Sequence, residues 1–170
     1  MKLKLAVLVF FIIGLEGCGT MKFAPKEYPL RDGLIPVLNL NGEVKVNNIQ
    51  TSVDPAIIYS YGGSKLASNY KDITQVMVDQ ATKEIQKNGK YIKSDKSKTI
   101  ELKVNYLLSR YIAFFWKSEL RYTAILGNSE TIDKTVRHGS GALAQDLNGC
   151  IAESVRDLLN DPKVIAYLAE

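Results

Sequence analysis

Between Thr99 and Leu107 apolar and polar residues alternate without a break, with Ile100, Leu102, Val104 and Tyr106 on one side and Glu101, Lys103 and Asn105 on the other. A period of two marks a strand whose faces meet different surroundings. A sheet begun this way has an apolar face that the rest of the chain must cover. Two more extended stretches follow. Trp116 to Leu126 sets Leu120, Tyr122, Ala124 and Leu126 on one face, and Gly127-Asn128 offers a turn into Glu130 to His138. The inner positions of that last stretch are Ile132, Lys134 and Val136, of which the lysine is out of pattern.

Two amphipathic helices supply a cover. Ile73, Val76, Met77, Ala81 and Ile85 form one helical stripe, with Asp72 and Gln75 as a capping pair and Asn88-Gly89 as a left-handed stop. Leu143, Leu147, Cys150, Ile151, Val155, Leu158 and Leu159 form another, N-capped within Gly139-Ser140-Gly141. Gly149 weakens that helix by about 1 kcal/mol relative to Ala, which close approach of a neighbour would offset. Asn160-Asp161-Pro162 ends it and opens a short terminal helix. Upstream, Leu34 to Leu40 and Glu43 to Ile49 read as arms of a hairpin turned at Asn41-Gly42, and Ala56 to Tyr61 as a short strand before Gly62-Gly63. The expected fold is α+β: a two-layer sandwich in which an antiparallel sheet of three to five strands is covered on one face by two amphipathic helices.

The N-terminus constrains location. Lys2 and Lys4 precede an apolar run from Leu5 to Ile13, too short for the roughly 20 residues that a spanning helix needs. The pattern reads as a secretory signal peptide. Its boundary, Leu15-Glu16-Gly17-Cys18, resembles the lipobox of bacterial lipoproteins. That resemblance implies cleavage between Gly17 and Cys18, a diacylglyceryl group on the Cys18 thiol and an acyl chain such as palmitate on the new N-terminus. Each buried methylene contributes about 0.8 kcal/mol, so several chains anchor stably where one would not. In the same class an Asp after the cysteine favours the inner membrane; Gly19 stands there, which implies the outer membrane, facing the periplasm. The expected organisation is a signal peptide over 1–17, a lipidated N-terminus and flexible tether over 18–33, and one domain over 34–170. The chain carries 22 Lys and Arg against 18 Asp and Glu; without Lys2, Lys4 and Glu16 the balance is 20 to 17. This interspersed charge is unlike a nucleic-acid binder. Beyond Cys18 only Cys150 remains, so the mature domain has no internal disulfide and must rely on its core.

Over most of the mature chain the sequence resembles the YajG-like small bacterial outer-membrane lipoproteins. The resemblance lies in the lipobox, in the helix ending Lys87-Asn88-Gly89-Lys90-Tyr91-Ile92, in Ile100 to Tyr106 and in Leu158-Leu159-Asn160-Asp161. The chain is more weakly similar to the lipopolysaccharide-assembly lipoprotein. These resemblances imply an envelope protein held at the membrane through Cys18, with a protein partner or a glycolipid as ligand.

Little in the chain points to chemistry. His138 is the sole histidine, and a His138–Cys150 dyad is disfavoured because Cys150 lies on a core-facing stripe. No Gly-x-Ser-x-Gly elbow occurs, and no spacing singles out a carboxylate pair. The glycines around Ser140 read as a helix cap more readily than as an anion site. No metal or other cofactor is expected. The local oddity is Tyr111-Ile112-Ala113-Phe114-Phe115-Trp116, flanked by Arg110, Lys117 and Arg121. At a hairpin tip, Phe114, Phe115 and Trp116 would be exposed as candidate membrane or partner contacts; in continuous strands they would pack, which is the preferred reading since aromatics favour strands. The expected function is that of a non-catalytic binding, assembly or maintenance factor of the outer membrane. The alternatives are a lipopolysaccharide- or amphiphile-binding module and, less favoured, a hydrolase using His138.

Overall fold

The computed structural model describes residues 19–170; Gly17, Cys18 and the signal segment lie outside the described residues. In chain order the elements are β1 (Thr20–Lys22), β2 (Leu38–Asn48), β3 (Ala56–Tyr61), β4 (Ser64–Ser68), α1 (Tyr70–Asn88), β5 (Gly89–Ile112), β6 (Phe115–Leu126), β7 (Thr131–Ser140), α2 (Leu143–Leu159) and α3 (Pro162–Ala169). The strands form one seven-stranded sheet in the order β1-β4-β3-β5-β6-β7, with β2 also paired to β5.

The expected antiparallel sandwich is therefore corrected to an α/β fold with a mixed sheet. β1–β4, β2–β5 and β3–β5 pair parallel, whereas β3–β4, β5–β6 and β6–β7 pair antiparallel. Parallel partners need a crossover connection, here α1 between β2 and β5. Such pairing joins residues some fifty positions apart and leaves no local mark. The Asn41-Gly42 hairpin is corrected with it: the chain does not reverse there, and Leu38 to Asn48 form the single strand β2, whose Leu38, Leu40, Val44 and Val46 face the core. Gly42 adopts φ 101° at a register shift against β5, and a Cβ there would lie 2.2 Å from the Lys96 carbonyl oxygen. Glycine serves a bulge there, not a reversal.

Three helices cover the sheet's apolar face. α1 buries Ile73, Met77, Ala81 and Ile85, and α2 buries Leu147, Cys150, Ile151, Val155, Leu158 and Leu159. α3 adds Val164 and Leu168, packed beside β2. The α1 cap lies earlier than expected: Asn69 Oδ1 accepts the Asp72 N–H at 2.7 Å, and Asn69 Nδ2 donates to the Asp72 carboxylate at 2.8 Å. Gly89 has φ −78°, so the helix runs straight into β5 with no left-handed stop. The N-cap of α2 is Ala142, not Ser140. Lys134, out of pattern in the sequence, is half-exposed and pairs with Asp161 at 2.8 Å.

Residues 19–33, expected as a tether, lie packed on the domain. β1 joins the sheet and Phe23 enters the core. The Lys26 N–H donates to Asn148 Oδ1 at 3.0 Å, and Gln80 Nε2 donates to the Tyr28 carbonyl at 2.7 Å. Glu27 pairs with Lys83 at 2.7 Å. A stretch with sparse apolar residues looks like a linker by composition; its partners lie on α1 and α2.

A bulge in β5 decides what the uncovered face presents. The register shifts between Val104 and Tyr106, so Tyr106 turns outward and Leu107 inward. Val104 stays paired with Tyr122, but β2 ends opposite Leu102, so on that edge its backbone is satisfied by side chains: Thr74 Oγ1 accepts its N–H at 3.0 Å and Gln50 Nε2 donates to its carbonyl at 2.7 Å. Beyond the bulge Ser109 faces the helices, while Leu108, Arg110 and Ile112 alternate onto the open face.

Candidate functional site

The β5–β6 connection is a two-residue reversal at Ala113 and Phe114, with φ 50° and 71°. Both residues sit in the left-handed region that glycine would occupy more easily, at a cost on the order of 1 kcal/mol each. The rings do not pack away: Phe114 is 84% exposed, Phe115 55% and Ile112 46%. The packed reading of Tyr111 to Trp116 is thus corrected for Phe114 and Phe115, because the chain reverses between the strands. Trp116 is only partly exposed and stacks at 4.9 Å on Tyr111, which in turn lies 5.6 Å from Tyr61. The Trp116 indole N–H is buried without an acceptor. A buried donor left unpaired costs free energy until something accepts from it.

The sheet register places the start of the described chain at this same end. Tyr59 pairs with Ser109, which brings Tyr61 level with Tyr111. Tyr61 pairs with Ser64 across the β3–β4 turn, and Thr20 pairs with Lys65. Gly19 therefore leaves the sheet beside the aromatic tips, about 14 Å across three strand spacings. Lys22, Lys65, Arg110 and Lys117 stand exposed nearby.

The open sheet face carries a groove of about 600 Å³ running from this end. Its cations are Arg110, Lys117, Arg121 and Arg137, and its single acid is Glu119. Glu119 Oε1 accepts from Arg121 Nε and Nη2 at 3.0 and 2.7 Å, and Oε2 from Arg137 Nε and Nη2 at 3.1 and 3.0 Å. Those bonds hold the Glu119 carboxyl below its ordinary range. Arg121 also lies over the Tyr106 ring at 4.8 Å. Tyr106, Leu108 and Ile112 make the apolar wall.

Behind the sheet is a buried polar network. Asp146, fully buried in the first turn of α2, accepts hydrogen bonds from the hydroxyls of Ser109 (2.7 Å) and Ser118, and lies 3.2 Å from His138 Nδ1. The hydrogen bond to Asp146 raises the His138 pKa above its ordinary value, against partial burial. The ring sits over Gly149, where a Cβ would approach its Cε1 to 2.5 Å, so this glycine makes room for the imidazole. The order of contacts does not suit nucleophilic catalysis. In a triad the imidazole takes the serine proton; here both hydroxyls donate to the carboxylate and are almost wholly buried. Cys150 Sγ faces the Val136 carbonyl, and burial pushes its thiol up to about 12.

Sequence reasoning found the aromatic run but could not place Tyr61 beside it. Arg110, Lys117 and Arg121 flank the run in sequence, whereas Arg137 and Tyr106 come beside them only in the folded sheet. Asp146, Ser109 and Ser118 carried no signal, since each looks like an ordinary surface residue of its helix or strand. Among the described residues no group of three or more His, Cys, Asp or Glu is placed to hold a metal ion, and no helix is long and apolar enough to cross a membrane. No family model matches the chain, and no curated protein matches it in sequence.

Proposed function

We propose that the chain is a lipid-anchored envelope lipoprotein, attached through Cys18 and non-catalytic, which works as a binding or assembly factor with its aromatic end against the membrane. The supporting observation is the convergence at one end of the sheet: Gly19, the Tyr61 turn and the Phe114–Phe115 tip all lie at that end, across successive strands. Cys18 is one peptide unit, 3.8 Å, from Gly19, so acyl chains on its sulfur and N-terminus would enter the bilayer next to the exposed rings. Aromatic side chains at the headgroup level, flanked by lysine and arginine, suit an anionic interface. The YajG-like resemblance and Gly19 after the cysteine favour the outer membrane. The groove lends support to amphiphile binding as the form this activity takes.

Mass spectrometry of the protein purified from native membranes tests the reading. The expected N-terminal peptide begins at Cys18 and carries acyl chains, and Cys18→Ser should leave the membrane fraction. A polypeptide still starting at Met1 with an unmodified thiol would refute it.

A further inference from the structure

We propose that the groove on the open sheet face binds the phosphate-bearing headgroup of an anionic lipid, with Arg110, Lys117, Arg121 and Arg137 as its cationic contacts. The inference rests on the membrane-proximal reading above and names the ligand class of that surface. Charge is the first argument. Four cations face one carboxylate, and both oxygens of that carboxylate are engaged by Arg121 and Arg137. Glu119 therefore acts as a brace that fixes two guanidiniums side by side through Nε and Nη2. Among the described residues the Nη1 groups have no partner, and neither Arg110 nor Lys117 has an ion pair. Fixed guanidinium forks are suited to phosphate oxygens.

The groove also has an apolar wall. Leu108 and Ile112 alternate with Arg110 along the same edge of β5, so the groove offers apolar surface beside its cations. A free inorganic anion has no use for that surface; the glycerol and first methylenes of a lipid do. At about 600 Å³ the groove falls within the range of small-molecule sites. Position is the third argument. Ile112 pairs across the strands with Phe115, so the apolar strip runs from the groove into the exposed tip at the end where the N-terminus leaves. A lipid could present its headgroup to the arginines while its chains stay near the bilayer.

The test titrates the full acylated protein, held in a neutral detergent, with dihexanoyl phosphatidylglycerol by calorimetry. Saturable one-to-one binding is expected. Arg110→Gln with Lys117→Gln, two exposed side chains that brace nothing, should weaken it on the order of tenfold or more. Tyr91→Ser with Ile92→Ser, on exposed side chains at the opposite end of β5, should leave it unchanged. Binding that is absent, that survives loss of Arg110 and Lys117, or that is equally tight for dihexanoyl phosphatidylcholine would overturn the proposal. So would glycerol 3-phosphate binding as tightly as the lipid, or hexaglutamate displacing it equally well, which would assign the groove to an acidic peptide. The N-terminal mass of the same sample separates the two ideas: an acylated protein with an inert groove defeats this inference alone, whereas an unmodified Met1 chain defeats the membrane reading whatever the groove binds.

Discussion

Replacing both tip rings, Phe114→Ser with Phe115→Ser, should weaken association of the domain with anionic vesicles about tenfold without destabilising it. The two side chains expose together about 1.4 rings' worth of surface, from fractional exposures of 84% and 55%. Full burial of one Phe contributes about 2 kcal/mol, so complete transfer of this surface would contribute about 3 kcal/mol. The headgroup layer is partly wet, and about half of that is realised there, which corresponds to a factor of about ten in affinity. The assay is co-sedimentation of residues 19–170, lacking any lipid anchor, with vesicles containing phosphatidylglycerol. The matched control is Tyr91→Ser with Ile92→Ser, which removes rings and branches exposed 55% and 53% at the other end of β5. Serine at 114 keeps the left-handed backbone no worse than phenylalanine, so thermal melting should be unchanged within about 1 kcal/mol. Equal binding by the tip variant, or equal loss in the far-end variant, would show that membrane association does not depend on which end carries the rings.

The buried network gives two further expectations. Asp146→Ala should cost about 2–4 kcal/mol in urea unfolding, because it strands the Ser109 and Ser118 hydroxyls and the His138 N–H at once; a loss under 0.5 kcal/mol would mean the network is not a stabilising one. The raised His138 pKa makes its contribution fully present below the unfolded value of about 6.5 and lost as pH rises through the higher folded value. Unfolding midpoints should fall over that window in the native chain and stay flatter in His138→Gln, whereas parallel profiles would exclude His138 as the titrating group. Gly42→Ala should destabilise by at least about 2 kcal/mol in the same assay, since the residue sits at φ 101° with the Lys96 carbonyl oxygen 2.2 Å from the new carbon; a hairpin turn at Asn41-Gly42 would instead tolerate the change with a smaller loss.

How much of the molecule was legible follows from the range of each signal. The stripes of α1 and α2, the inner residues of β6 and β7, and the alternation from Ile100 to Val104 are local periodicities, and each is where the sequence puts it. The alternation failed at Tyr106 because a bulge inserts one residue, and that bulge is held by Thr74 and Gln50 from elsewhere in the chain. Lys134 looked misplaced until Asp161 came beside it. Asn41-Gly42 reads as a hairpin turn in sequence because a reversal and a bulge use the same backbone freedom of glycine. Of the candidate site, the aromatic run was visible as composition, and its exposure was not.

The amino-acid order by itself determined the apolar stripes of α1 and α2 and the turn at Gly62-Gly63, since these depend on neighbours a few positions apart and on intrinsic backbone preference. Tertiary structure alone decided the parallel pairing of β2 with β5, the meeting of Arg121 and Arg137 on Glu119, the burial of Asp146, and the shared end of Gly19 and Phe114. The reason is physical: pairing across a sheet is selected by the burial and hydrogen bonding of the whole layer, and no short window of sequence contains that sum.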